Sequence, residues 1–282
     1  MTKPEAFNVL RTTDSGELIV VADYAANGRP AANFHDLAKL LRTEHTIWET
    51  APVPWGQESG LTGQDQAERW LRGIRDSGLK VRALMGFCGG GIYASVMADR
   101  IAEWQGEHPE LLLFDPGFAE RRMLTEHIES FYRRLAKAFT EDQLADAKER
   151  LAEADAGASN ALELAGRLTP LCQEVLKSAI VRAGWSEQAA GNTADLVNGY
   201  LHWLGAAVDL DPRPGWARAS VLNSSNPDIG LHIIPEPERS EMFGEAHFFD
   251  VVHADLLKTP EVARTADELL ARPVVTAGSA QK

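Results

Sequence analysis

Leu18-Ile19-Val20-Val21-Ala22 is a short, almost unbroken apolar run within Glu17 to Tyr24. Such a run, without polar alternation, predicts a strand covered on both faces, as in the interior of a parallel sheet. Gly28 and Pro30 end it, and Asn33 to Leu41 then predicts a short amphipathic helix. Thr46 to Val53 reads as a weaker second strand, ended by Pro52 and Pro54. Ala67, Trp70, Leu71 and Ile74 recur at helical spacing within Gly63 to Gly78. Val81 to Cys88 predicts a third strand that runs straight into Gly89-Gly90-Gly91 and a helix through Trp104. Leu111 to Phe114 predicts a fourth, stopped by Asp115, Pro116 and Gly117.

There the alternation stops. From Arg121 to about Val208 the pattern is helical throughout, in Ile128 to Phe139, Glu141 to Ala154, Ala161 to Ala183 and Glu187 to Ala207. Strand text resumes at Ala217 to Leu222 and again within Ala246 to Val252, followed by a helix from Thr259 to Leu270 and a small, polar tail beyond Pro273. Strands alternating with helices over short connections predict an α/β fold, a mostly parallel central sheet with helices on both faces. Residues 1–119 and 209–282 are expected to form that core. Residues 120–208 are expected to be a helical insertion, and a lid over a site is the usual role of one so long.

Composition narrows the function classes. The 282 residues carry a formal net charge of −13, with 44% hydrophobic and 24% charged residues. That is a globular mixture and excludes a disordered polar chain. The acidic balance argues against nucleic-acid binding, which needs a surplus of Lys and Arg to neutralise phosphates. No apolar run approaches the roughly 20 residues that cross a bilayer. Met-Thr-Lys-Pro-Glu-Ala at the start lacks the apolar core of a signal peptide, and Cys88 and Cys172 are too few for a disulfide framework. A cytoplasmic setting is the expectation; oligomeric state is not legible.

The most informative stretch is Met85-Gly86-Phe87-Cys88-Gly89-Gly90-Gly91. A Gly-x-nucleophile-x-Gly string between a strand and a helix describes a nucleophile elbow. The turn is so tight that side chains at Gly86 and Gly90 would strike neighbouring backbone. Cys88 would then stand clear of the sheet at a helix N-terminus, where unpaired amides and the helix dipole favour thiolate. The Gly89 N–H would point at an oxyanion forming on a substrate carbonyl. Two blander readings compete: a buried cysteine packing as a small hydrophobe, and a loose Gly-x-Gly-x-x-Ala dinucleotide loop, which belongs on a first strand rather than a third.

A cysteine nucleophile needs a base, and the base an orienting carboxylate. His253 precedes the last helix on a C-terminal loop and is the favoured base; His247, alternating with aromatics, reads as a strand residue. Asp115 and Asp228 are both candidate acids, each at a predicted strand end and each beside a proline. Spacing does not separate them. No metal-ligand pattern stands out, and no cofactor is expected.

With these residues the chain resembles the α/β-hydrolase thioesterases of nonribosomal peptide and polyketide synthesis. The likeness rests on Val20 to Leu41 with its Phe34-x-x-Leu-Ala-x-x-Leu ending, on Gly86 to Gly90, on Leu111 to Asp115, and on His253 to Val262 with its Leu-Leu-x-x-Pro-x-Val sequel. The resemblance favours Asp115 as the acid, as in chain-terminating members, and keeps Asp228, the position used by stand-alone editing thioesterases. It places a second oxyanion N–H around Ala26 or Asn27, although that loop lacks the family's Pro/Gly-rich wording.

The family usually carries serine where this chain has Cys88. Attack by cysteine on a thioester gives another thioester of nearly equal energy, which suits onward transfer as well as release. The resemblance therefore implies an acyl-transfer enzyme with a Cys-His-Asp triad, a thioesterase or an aminoacyl or acyl transferase in natural-product biosynthesis such as that of antibiotics. Its substrate would ride on the phosphopantetheine arm of an acyl or peptidyl carrier protein. Alternatives are a non-catalytic carrier-binding protein on the same scaffold and a cysteine hydrolase like the dienelactone hydrolases. Arg121-Arg122 and Arg133-Arg134 are candidates for a carrier-docking patch, with a solvated helix face the favoured reading, and Trp185, Trp203 and Trp216 are candidates for the acyl pocket, with core packing the commoner role of such tryptophans.

Overall fold

A computed structural model describes residues 5–24 and 31–273. The first half alternates strands and helices in the order β1 (Phe7–Arg11), β2 (Glu17–Ala22), α1 (Phe34–Leu40), β3 (Thr46–Thr50), α2 (Gly63–Ser77), β4 (Lys80–Phe87), α3 (Gly90–Gln105) and β5 (Glu110–Phe114). A helical stretch follows: α4 (Arg122–Arg134), α5 (Glu141–Ala156), α6 (Ala161–Pro170), a π-helical turn (Leu171–Leu176), α7 (Lys177–Arg182), α8 (Glu187–Ala207) and α9 (Arg213–Trp216). The chain then returns to the sheet with β6 (Ser220–Asn223), α10 (Glu236–Met242), β7 (Glu245–Phe248) and α11 (Pro260–Leu270).

The sheet runs β1-β3-β2-β4-β5-β6-β7. Every neighbouring pair is parallel except the edge pair β1 and β3. The apolar run of β2 works as expected of a doubly covered strand. Leu18, Val20 and Ala22 face one core with α2, α3 and the later helices, while Ile19 and Val21 face another with α1 and α11. β4 divides in the same way, Leu84 to the first core and Ala83, Met85 and Phe87 to the second.

Three features differ from the sequence expectation. β1 carries one fully buried side chain, Phe7, among half-exposed and exposed ones, so an edge strand leaves little hydrophobic signal. α10 contains no buried residue and gives no periodicity to read. The predicted helix from Ala161 to Ala183 is broken by Pro170, which cannot donate a backbone hydrogen bond, into α6, the π turn and α7.

Candidate active site

The elbow is set by backbone clearance. Cys88, between β4 and α3, has φ 51°, a left-handed conformation that is uncommon for a non-glycine residue. Its N–H donates to the Phe114 carbonyl at 2.9 Å, and its own carbonyl accepts the Gly91 N–H at 3.0 Å. A methyl group at Gly86 would collide with Gly91 Cα, and one at Gly90 with the Ala22 carbonyl oxygen. The strand can therefore turn into the helix only with glycine at both places, and Cys88 is left half-buried at the turn.

Asp115 directly follows β5, which pairs with β4. It is fully buried, and it too has a positive φ, 45°. Its Oδ1 accepts the Ser224 N–H at 2.7 Å, and its Oδ2 lies 2.7 Å from His253 Nδ1. Gly230, at φ 61°, packs so closely on this group that a Cβ there would lie 3.0 Å from Asp115 Oδ1.

His253 opens a 3-10 turn, His253–Lys258, after β7. Its backbone N–H donates to Asn226 Oδ1 at 2.6 Å, and the Ala254 carbonyl accepts the Ala32 N–H at 2.8 Å. The imidazole stacks on Phe87, with ring centroids 4.6 Å apart and planes 13° apart. Phe87 is the residue immediately before Cys88, so the ring that meets Asp115 also lies over the elbow's own strand end. A carboxylate only accepts, so the proton in this contact sits on Nδ1, and Nε2 is left as the basic nitrogen.

The structure thus brings His253 and Asp115 together beside the Cys88 elbow. Asp228 is exposed in the turn after Asn226-Pro227 and is not the carboxylate that His253 meets. Its turn contributes through Asn226 instead. His247 hydrogen-bonds Glu245 along β7 at 2.6 Å, as a strand residue would. Gly89 caps the N-terminus of α3. Ala26 and Asn27 lie outside the described residues. Among the described residues, no three His, Cys, Asp or Glu side chains form a group able to hold a metal ion, and no helix is long and apolar enough to cross a membrane.

The tryptophans separate. Trp203, on α8, is buried with its ring 3.5 Å from where a Cβ on Gly89 would stand. Trp216 is buried, stacked on Phe243 and against Phe118, and Trp185 is 58% exposed. The arginine pairs are largely matched by local acids: Arg121 with Asp155, Arg122 with Glu120 and Glu126, and Arg133 with Glu129. Arg134 lies over the Phe131 ring. These exposed local pairings fit a solvated helix face, the reading favoured from sequence over a docking patch.

Phe87, Ser224, Asn226 and Gly230 were not singled out from sequence. Gly230 is the only one with a signal of its own, a glycine in a turn; the others act through contacts distant in the chain.

No protein-family model matches the chain, and no curated protein does. Solved structures do match. The Vlm2 thioesterase domain carrying a genetically encoded 2,3-diaminopropionic acid, bound with a dodecadepsipeptide, is 18% identical; the match covers 96% of this chain and 100% of that one, with a TM-score of 0.50. A four-domain nonribosomal peptide synthetase bound to AMP and glycine is 14% identical, with a TM-score of 0.59, over 96% of this chain and 20% of that one. An alpha/beta hydrolase from Sphaerobacter thermophilus is 15% identical, with a TM-score of 0.50, over 94% of this chain and 96% of that one. At such identities the likeness speaks to architecture, and the architecture of this chain is the α/β-hydrolase fold.

Proposed function

We propose that the protein is an acyl-transfer enzyme that takes an acyl or aminoacyl group from a carrier-protein thioester onto Cys88. The observation that carries this reading is the 2.7 Å contact between Asp115 and His253, whose ring rests on the residue preceding Cys88. In the proposed reaction His253 Nε2 accepts the Cys88 thiol proton, and the sulfur attacks the thioester carbonyl. The Gly89 N–H helps hold the resulting oxyanion. Collapse breaks the bond to the phosphopantetheine sulfur, which leaves with the proton from His253. A second thiol, an amine, a hydroxyl or water then repeats the sequence in reverse at the acyl-Cys88 thioester.

The thioester-for-thioester exchange favours passing the group to another thiol, because neither direction is strongly downhill. The solved thioesterase domains of similar fold support a carrier-borne substrate in general terms, and release as free acid is the competing outcome. The helices between β5 and β6 act in this reading as a cover, with Trp203 of α8 placed over Gly89.

Incubation with a charged acyl carrier protein followed by intact-protein mass spectrometry tests the proposal. An acyl adduct is expected on the protein and absent from Cys88→Ala. Failure of every charged carrier and every soluble pantetheine thioester to load Cys88 overturns it. Adding a second, empty carrier protein then separates transfer, in which the label moves, from hydrolysis, in which it is lost as free acid.

A further inference from the structure

One face of the His253 ring is covered, a contact that the acyl-transfer reading leaves without a task. Phe87 is 1% exposed and belongs to the second core, against which Cys88 also packs. Its ring lies nearly parallel to the imidazole, with 4.6 Å between centroids and 13° between planes. The His253 side chain is itself only 18% exposed, so the two rings meet largely out of water.

Backbone geometry fixes this arrangement. β4 pairs with β5 so that Phe87 stands opposite Phe114, and the next bond of the ladder runs from the Cys88 N–H to the Phe114 carbonyl. Asp115 follows Phe114 directly and reaches His253 Nδ1 at 2.7 Å. One end of one strand pair therefore sets the nucleophile, the carboxylate at the edge of the imidazole and the phenyl ring on its face. The His253 backbone is tied down separately, through Asn226.

Edge and face contacts act on different forms of the ring. A phenyl face carries the negative part of the ring quadrupole and attracts a cation within about 6 Å of its centroid, more strongly where water is excluded. A neutral imidazole gains only ordinary stacking. In the proposed reaction His253 passes from neutral to charged as it takes the Cys88 proton. An interaction stronger with the charged ring assists that step rather than the resting protein.

We propose that Phe87 is a positioning residue for this proton transfer: it holds the His253 ring and stabilises the imidazolium formed when the Cys88 thiol gives its proton to Nε2. The proposal rests on the acyl-Cys88 reading for the use made of the thiolate, and it gives the histidine a partner at its face besides Asp115 at Nδ1.

Phe87→Leu would open the second core as well as remove the π face, so the test alters the charge distribution of the ring and keeps its shape. Mono-, di- and trifluorophenylalanine are incorporated in turn at position 87. Each fluorine draws electron density from the face and weakens its attraction for a cation. Two rates are measured at neutral pH. Alkylation of Cys88 by iodoacetamide needs the thiol proton removed but no acyl substrate; loading of Cys88 from a soluble acyl-pantetheine thioester reports the full reaction. Both are expected to fall stepwise with fluorine number, by on the order of tenfold across the series, the scale of a desolvated cation–π contact. In a His253→Ala background the alkylation series is expected to be flat, since no imidazolium forms. Indifference of either measurable rate to fluorine overturns the proposal. So does an equal decline in His253→Ala, which would mark an effect of packing alone. If no thioester loads Cys88 while the alkylation series keeps its slope, the acyl-transfer reading has failed and the role of Phe87 in the proton transfer stands.

Discussion

Cys88 and Asp115 share a conformational peculiarity: both are non-glycine residues with positive φ, 51° and 45°. Such residues cost on the order of 1–3 kcal/mol each and persist where the surrounding structure enforces them. Here the enforcing contacts are the Phe114 carbonyl on the Cys88 amide, and the Leu222 carbonyl with the Ser224 amide on Asp115. The two cysteines differ sharply in accessibility. Cys172 is fully buried, and burial pushes its pKa up to about 12, whereas Cys88 is half-exposed. Iodoacetamide at pH 8 should therefore give one adduct, at Cys88, with a second at Cys172 appearing only in urea. Equal labelling of both sites in the folded protein would contradict this. Asp115→Asn should fold, yet it presents an amide N–H to His253 Nδ1 and disfavours the tautomer that leaves Nε2 basic. Its acylation rate should fall by about 10³-fold or more in a stopped-flow thiol-release assay. The elbow was legible because Gly86, Cys88 and Gly90 obey a strictly local steric rule, whereas His253 was singled out by its place on a C-terminal loop before the last helix. Spacing did not separate the two candidate acids, since Asp115 and Asp228 both follow strand ends beside prolines; the resemblance favoured Asp115, and the contact that His253 makes with it joins residues far apart in the chain. Phe87 and Ser224 were invisible for the same reason, their partners His253 and Asp115 being far away in the chain.

The elements were most legible where local chemistry and burial agree. Asn33 with Asp36, Thr62 with Asp65 and Thr140 with Gln143 form capping boxes that start α1, α2 and α5. The interior strands announce themselves because both faces are covered, while β1 and α10, at the periphery, do not. α8 shows how an element gains a role that periodicity does not reveal. Its last turns are buried on every side, from Leu201 through Ala207, because they wedge between α6 and the elbow. Gly205 allows the approach, with the Ala161 carbonyl oxygen 3.0 Å from where its Cβ would be. In this setting the Trp203 backbone carbonyl accepts the Tyr93 hydroxyl at 2.8 Å, and its indole packs toward Gly89, where it can act as a shield. Trp203→Leu opens that shield while keeping an apolar side chain. The fraction of acyl-Cys88 lost to water rather than passed to an acceptor thiol should rise severalfold in a partitioning assay, at a stability cost of roughly 1–3 kcal/mol. An unchanged partition ratio would deny α8 the covering role.

At the scale of the whole molecule, the net charge of −13 couples to pH through groups that lose contact with water on folding. His127 on α4 lies between Phe131 and Tyr200, with ring centroids 5.3 and 4.6 Å away, and so sits where α4 meets α8. Burial, and secondarily the Arg134 charge, push its pKa down to about 4. In the unfolded chain the same ring titrates near pH 6.5. Between those values the unfolded state binds a proton that the folded state refuses, so stability declines as pH falls through this window and is fully present above it. The loss amounts to about 2 kcal/mol at pH 5 and on the order of 3 kcal/mol below pH 4. His202, lowered by burial, acts in the same direction. Acidification toward the sequence pI of about 5.1 relieves repulsion among the surplus carboxylates and opposes the trend, so the slope of the unaltered protein alone is not diagnostic. His127→Phe removes the titrating ring while keeping an aromatic between Phe131 and Tyr200, and leaves the surface charge at neutral pH untouched. Urea midpoints at pH 5.0 and 7.0 should differ less in this variant than in the unaltered protein, by the equivalent of about 2 kcal/mol. Parallel pH dependences in the two proteins would mean that His127 takes up its proton alike in the folded and unfolded chains, and is therefore hydrated where α4 packs on α8.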